Sequence, residues 1–115
     1  MYIICSVNKE KFLKEIINGT YGKDDFKKYG YVHCSDINTF DRVAPNFKND
    51  DFERLIIVID TDKLKSDVKW ENGGSTDYPH IYGLINKESI LEILPHIWSD
   101  KKEWIKNEEL VKYEK

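Results

Sequence analysis

At 115 residues, with 18 basic side chains against 21 acidic and a formal charge of −3, the chain has the length of one compact domain. A chain of this size buries roughly two-thirds of the surface its unfolded form exposes, so it needs neither disulfide nor metal to hold a core. A hydrophobic content of 40%, with 6 Gly and 3 Pro, excludes disordered, collagenous and low-complexity classes, and the acidic balance argues against a duplex nucleic-acid binder.

Residues 1–6 are an apolar run that predicts a first strand buried on both faces. Asn8 is placed to cap a helix over residues 8–18. Its apolar stripe is Phe12, Leu13, Ile16 and Ile17, and Asn18-Gly19 stops it. Residues 20–29 are charged and irregular and read as surface; residues 31–35 predict a second strand. Asp36 caps a second helix that turns Ile37, Phe40, Val43, Ala44 and Phe47 inward, and Pro45 kinks or ends it by removing a donor. The unbroken aliphatic run at 55–59 predicts a buried central strand. Asp60 and Thr61 then open a helical turn, and residues 68–71 return as a strand.

Residues 72–77 carry Gly, Ser and Thr and read as the most mobile internal loop. Residues 80–84 and 90–94 predict two short strands around a turn at 86–88. From Ser99 the tail reads as a helix: Asp100 and Glu103 match a capping box, while Trp104, Glu108 and Val111 share a face and make Trp104 the docking residue. The N-terminal apolar run lacks the basic region and cleavage site of a secretory signal, and no window reaches the length of a membrane span. A cytoplasmic protein follows, with Cys5 and Cys34 as reduced thiols; a disulfide would need them on neighbouring strands.

Three segments put polar groups inside apolar strands. In Tyr31-Val32-His33-Cys34-Ser35, alternation sets His33 and Ser35 on the face of Tyr31 and Cys34 on the other, which excludes a His33–Cys34 catalytic dyad. In Tyr78-Pro79-His80-Ile81-Tyr82-Gly83, His80 and Tyr82 share a face opposite Ile81. Gly83 admits a ligand or another backbone, or marks a bulge, and Tyr78-Pro79 allows a cis peptide. In Val68-Lys69-Trp70-Glu71, Glu71 and Lys69 share a face, and Trp70 reads as core. Each histidine also admits a purely structural reading, a core imidazole bonded to a neighbour. His33, His80, His96 and the two cysteines lack the paired spacing of a zinc site, so no metal is expected. No Gly-flanked serine elbow and no phosphate-cradling glycine loop occurs.

The run Gly30-Tyr31-Val32-His33-Cys34-Ser35 resembles the signature of the bacterial domain-of-unknown-function family 952. Leu55-Ile56-Ile57-Val58-Ile59-Asp60, Val68-Lys69-Trp70-Glu71 and Tyr78-Pro79-His80-Ile81-Tyr82-Gly83 follow in the family's order. The likeness runs from Met1 to about Leu94. It divides the chain into a family domain at 1–95 and a helical extension at 96–115 packed on the same domain. That family resembles the ADP-ribosyltransferase-like fold. The resemblance implies an α+β protein with a small split mixed or antiparallel sheet, two to three flanking helices and an added C-terminal helix.

It further implies a cleft that takes a small ligand, a nucleotide or NAD-related metabolite, with NAD as the candidate cofactor. His33, Ser35, His80, Tyr82 and Gly83 would bind it. Glu71 would be the catalytic carboxylate, because an oxocarbenium-like ribose is stabilised by a nearby fixed negative charge; His80 is the second candidate catalytic residue. The first strand reads Tyr2-Ile3-Ile4, without the His many relatives carry there, which favours a binding protein over an active ribosyl-bond enzyme. A metal-assisted hydrolase is a third reading.

Overall fold

The computed structural model describes residues 1–71 and 77–114; of the expected mobile loop at 72–77, and any lid it might form, all but Asp77 lies outside the described residues. The leading apolar run is strand β1 (Tyr2–Asn8), and Asn8 Oδ1 accepts from the Lys11 N–H to start helix α1 (Lys9–Ile16). The helix ends two residues earlier than its apolar pattern predicts, and Ile17 is 82% exposed, because the stripe buries only Phe12 fully. A short strand β2 (Thr20–Tyr21) leads into helix α2 (Lys23–Tyr29), where the sequence predicted irregular surface. The helix has no side-chain cap of its own. Instead Glu15 of α1 accepts from the Gly22 and Lys23 N–H groups, each at 3.2 Å.

The predicted second strand is two strands. β3 (Val32–His33) and β4 (Ser35–Asp36) belong to different sheets, with Cys34 between them. Helix α3 (Phe40–Val43) passes at Pro45 into a 3-10 turn, Ala44–Phe47, as the missing N–H demands. β5 (Arg54–Asp60) is central, and Asp60 caps the following 3-10 turn through the Asp62 N–H. Then come β6 (Asp67–Glu71), β7 (Tyr78–Tyr82), β8 (Ile85–Asn86) and β9 (Ile90–Pro95).

One sheet has the order β4-β1-β5-β9 and another β3-β7-β6, and every pairing is antiparallel. The architecture is therefore α+β with antiparallel sheets and few helices. The first sheet is buried on both faces, which is why its two middle strands read as unbroken apolar runs. Ile3, Cys5, Val7, Ile57 and Ile59 point with Phe12 and Ile81 into one core; Ile4, Ile56 and Val58 point with Phe40, Leu94 and Leu110 into the other.

The tail corrects the sequence reading. No α-helix begins at Ser99. Strands β10 (Ile97–Trp98) and β11 (Trp104–Ile105) form a hairpin, and a 3-10 helix, Glu108–Tyr113, follows. Ser99 Oγ accepts from the Lys101 and Glu103 N–H groups, so the apparent capping box is a hairpin loop closed by a hydroxyl. Trp104 does pack against the second core, but from a strand, and Leu110 is buried there from the 3-10 helix. Trp70, expected in the core, is 39% exposed on β6.

His96 lies between Phe40, Phe47, Trp98 and Trp104, and neither ring nitrogen has a hydrogen-bond partner among the described residues. Burial, reinforced by the neighbouring Arg54 charge and opposed by Asp50, lowers its pKa from 6.5 to about 4. The unfolded chain thus binds this proton first as pH falls, and the stability present above pH 6.5 is lost progressively toward pH 4. Replacement of His96 by Phe should flatten the acid limb of a denaturant-stability profile by about 2–3 kcal/mol between those limits. An unchanged slope would show that other groups carry the acid sensitivity.

Candidate functional site

The β3-β7-β6 sheet places His33 and His80 directly opposite each other, as registered partners of β3 and β7. Their rings meet at 5.3 Å, edge to face. Tyr31 lies flat on His80, with centroids 4.2 Å apart and an interplanar angle of 11°, and Tyr29 meets His33 edge-on at 4.8 Å. His80 is buried and His33 exposed. Partial desolvation among these rings, with the second imidazole alongside, lowers the pKa of His33 and keeps it neutral at neutral pH.

Behind His80, β6 supplies Glu71. Its Oε1 accepts from the Tyr82 hydroxyl and lies 3.2 Å from His80 Nδ1. The Tyr82 bond is the main reason that the carboxyl pKa is lowered, and the same bond pushes the phenol up to about 12. An ionised carboxylate can only accept, so a neutral His80 carries its proton on Nδ1 and its lone pair on Nε2. That is the arrangement of an oriented general base. Lys69 Nζ sits over the Tyr82 ring, 4.7 Å from its centroid.

An open cleft of about 740 Å³ is lined by Tyr31, His33, Ser35 and His80, together with Ser6, Phe47, Phe52 and Arg54. Of the predicted site residues, His33, Ser35 and His80 line this cleft. Tyr82 and Glu71 do not; they act on it through His80. Gly83 is not brought to it at all, because its open side is filled by Ser66, whose Oγ would lie 2.3 Å from a β-carbon there. That glycine serves backbone packing. The Tyr78-Pro79 bond is trans. Ile4 is fully buried opposite Ser35 in the register, so an aliphatic side chain occupies the first-strand position where the resemblance implied a polar one.

Cys34 packs beside Cys5, and burial pushes its thiol pKa well up, so it is not a thiolate poised for catalysis in the cleft at neutral pH. Among the described residues no group of three or more His, Cys, Asp or Glu side chains converges as a metal site.

Arg54 is among the cleft residues that the sequence reading missed. Its Nε donates to Asp50 at 2.6 Å and its Nη1 to the Ser6 backbone oxygen at 3.3 Å, while its guanidinium lies 3.9 Å from the Phe47 ring centroid. The available signal was an arginine at the head of the most apolar strand, where a charge is retained only if it is paired. The carboxylate's hold on His80 is directly measurable. Long-range proton–nitrogen NMR should show His80 protonated on Nδ1 and bare on Nε2 at pH 8. In Glu71→Gln, the amide can both donate and accept, so the nitrogen shifts should move toward a tautomer mixture and the Tyr82 phenol should titrate nearer its ordinary value.

No curated protein matches the chain. The crystal structure of protein CC0527 from Caulobacter crescentus has a TM-score of 0.76 to it at 15% identity, covering 96% of this chain and 99% of that one. A double mutant of the same Caulobacter protein gives a TM-score of 0.76 at 14% identity with the same coverage. At such identities the likeness establishes a shared fold. No helix among the described residues is long and apolar enough to cross a membrane. The family described as "Protein of unknown function (DUF952)" matches residues 5–93, and the chain belongs to it.

Proposed function

We propose that the chain binds a nucleoside-type metabolite, a nucleotide or NAD-related compound, in the cleft beside His33 and His80. The observation that carries this reading is the convergence of the Tyr31–His80 stack, the exposed His33 ring and the Ser35 hydroxyl on one open hollow. Flat aromatic surfaces hold a heterocycle by stacking, and a few polar groups fix its orientation. The hollow is within the roughly 300–1,000 Å³ range of small-molecule sites. NAD enters as a candidate on the ADP-ribosyltransferase-like resemblance that the motifs suggested.

Charge narrows the ligand class. Asp24, Asp25 and Glu15 line the cleft with Lys11 and Arg54, Lys11 is paired with Asp24, and Arg54 with Asp50. A polyanion gains no net attraction from this set, so a ligand of low charge suits the cleft better than a triphosphate. Calorimetric titration should detect NAD or adenosine and give ATP at least tenfold weaker binding. Tyr31→Ala or His33→Ala should each weaken the complex by about tenfold, the usual worth of one stacking surface. Absence of binding by every one of these ligands at millimolar concentration would overturn the proposal.

A second reading, turnover at the ribosyl bond, draws on the Glu71–His80 pair, which presents an oriented imidazole to the cleft. Glu71 itself is held behind that imidazole by two donors, a poor place from which to stabilise a ribosyl cation directly. NAD incubated with the protein should therefore be recovered intact by chromatography. Nicotinamide release that vanishes in His80→Ala would establish the enzyme reading instead.

A further inference from the structure

The two cysteines have no part in the ligand reading. Cys5 follows Ile4 on β1 and Cys34 precedes Ser35 on β4, so the antiparallel register Ile4↔Ser35 makes them the next opposed pair. Both are free thiols, 2% and 6% exposed, with their sulfurs 3.1 Å apart. A disulfide bond is about 2.05 Å long, so the sulfurs need to close by only about 1 Å. Their access differs: Cys34 lines the cleft and Cys5 does not, because its thiol is turned to the His33 carbonyl oxygen at 2.9 Å.

We propose that Cys5 and Cys34 are a peroxide-responsive pair, in which Cys34 is oxidised through the cleft and Cys5 resolves it to an intramolecular disulfide. In the first step the Cys34 sulfur attacks one peroxide oxygen. The O–O bond breaks, a Cys34 sulfenic acid forms, and the departing hydroxide takes the thiol proton as water. In the second, the Cys5 sulfur attacks the Cys34 sulfur, the S–O bond breaks, and hydroxide leaves with the Cys5 proton as a second water. The two electrons lost by the sulfurs reduce the peroxide. Only a small oxidant fits this route, since both sulfurs are shielded from anything the size of glutathione. Burial keeps the Cys34 thiol protonated at neutral pH, so the pair answers sustained oxidant rather than traces.

The bond would sit where the backbone passes from one sheet to the other, between His33 and Ser35. It would close a loop between positions 29 apart in the chain. The test treats the folded full-length protein with hydrogen peroxide and follows intact mass, peptide maps and thermal unfolding. The expected product weighs two hydrogens less, joins the Cys5 and Cys34 peptides within one chain, and melts about 5–10 °C higher.

In Cys5→Ala the same dose should leave a Cys34 sulfenic acid that dimedone traps. In Cys34→Ala, Cys5 should stay a thiol. Four results overturn the proposal: added oxygen without loss of hydrogen in the wild type, a disulfide between chains, Cys5 oxidised as fast in Cys34→Ala, or no reaction at a dose that oxidises the urea-unfolded chain.

Discussion

The structure hinges on one backbone hand-over. At Cys34 the chain leaves the sheet it shares with β7 and enters the sheet it shares with β1. The Cys34 N–H still donates to the Pro79 oxygen at 3.1 Å, while the next residue already pairs with Ile4. Because the residues on either side of this point belong to different sheets, His33 pairs with His80 in one and Ser35 pairs with Ile4 in the other, and both line the cleft. The cleft draws its lining from residues on both sides of this hand-over. The paired sulfurs occupy the same junction, since the strand switch is what sets Cys34 opposite Cys5.

Around that junction the polar chemistry is organised by a single carboxylate oxygen. Glu71 Oε1 receives both Tyr82 and His80, which fixes the tautomer of a buried imidazole and keeps the acid ionised. A buried histidine without such an acceptor behaves differently, as His96 does in its aromatic box, where burial, reinforced by the Arg54 charge, drives out the proton. The chain therefore contains two nearly buried imidazoles in opposite situations. One is oriented toward an open hollow, and the other is held neutral by hydrocarbon.

Much of this was legible in the residues. The double-faced strands announced themselves as an apolar run at 1–6 and an unbroken aliphatic run at 55–59, and period-two alternation grouped His33 with Ser35, which both line the cleft, and His80 with Tyr82, which both reach Glu71 Oε1. Local turn chemistry was readable where the donor and acceptor are neighbours, as at Asn8 and Asp60. It failed where the partner is remote. The start of α2 is satisfied by Glu15, seven residues earlier and on another helix, so a window around Gly22 holds no capping signal. The tail failed for the opposite reason: a serine hydroxyl closing a hairpin and an Asp-x-x-Glu capping box are nearly the same string of residues, and only the pairing of Trp98 with Trp104 separates them.

The sequence by itself determined the α+β class, the strands that must be buried and the family, because side-chain periodicity and local motifs are properties of contiguous residues. Tertiary structure alone decided which strands pair across the junction, that Gly83 faces Ser66 instead of a ligand, and that Arg54 shares a cleft with two histidines. It also decided that Tyr82 and Glu71 reach the cleft only through His80. These are relations between residues far apart in the chain, set by which strands pair in which sheet, and no local pattern encodes those partners.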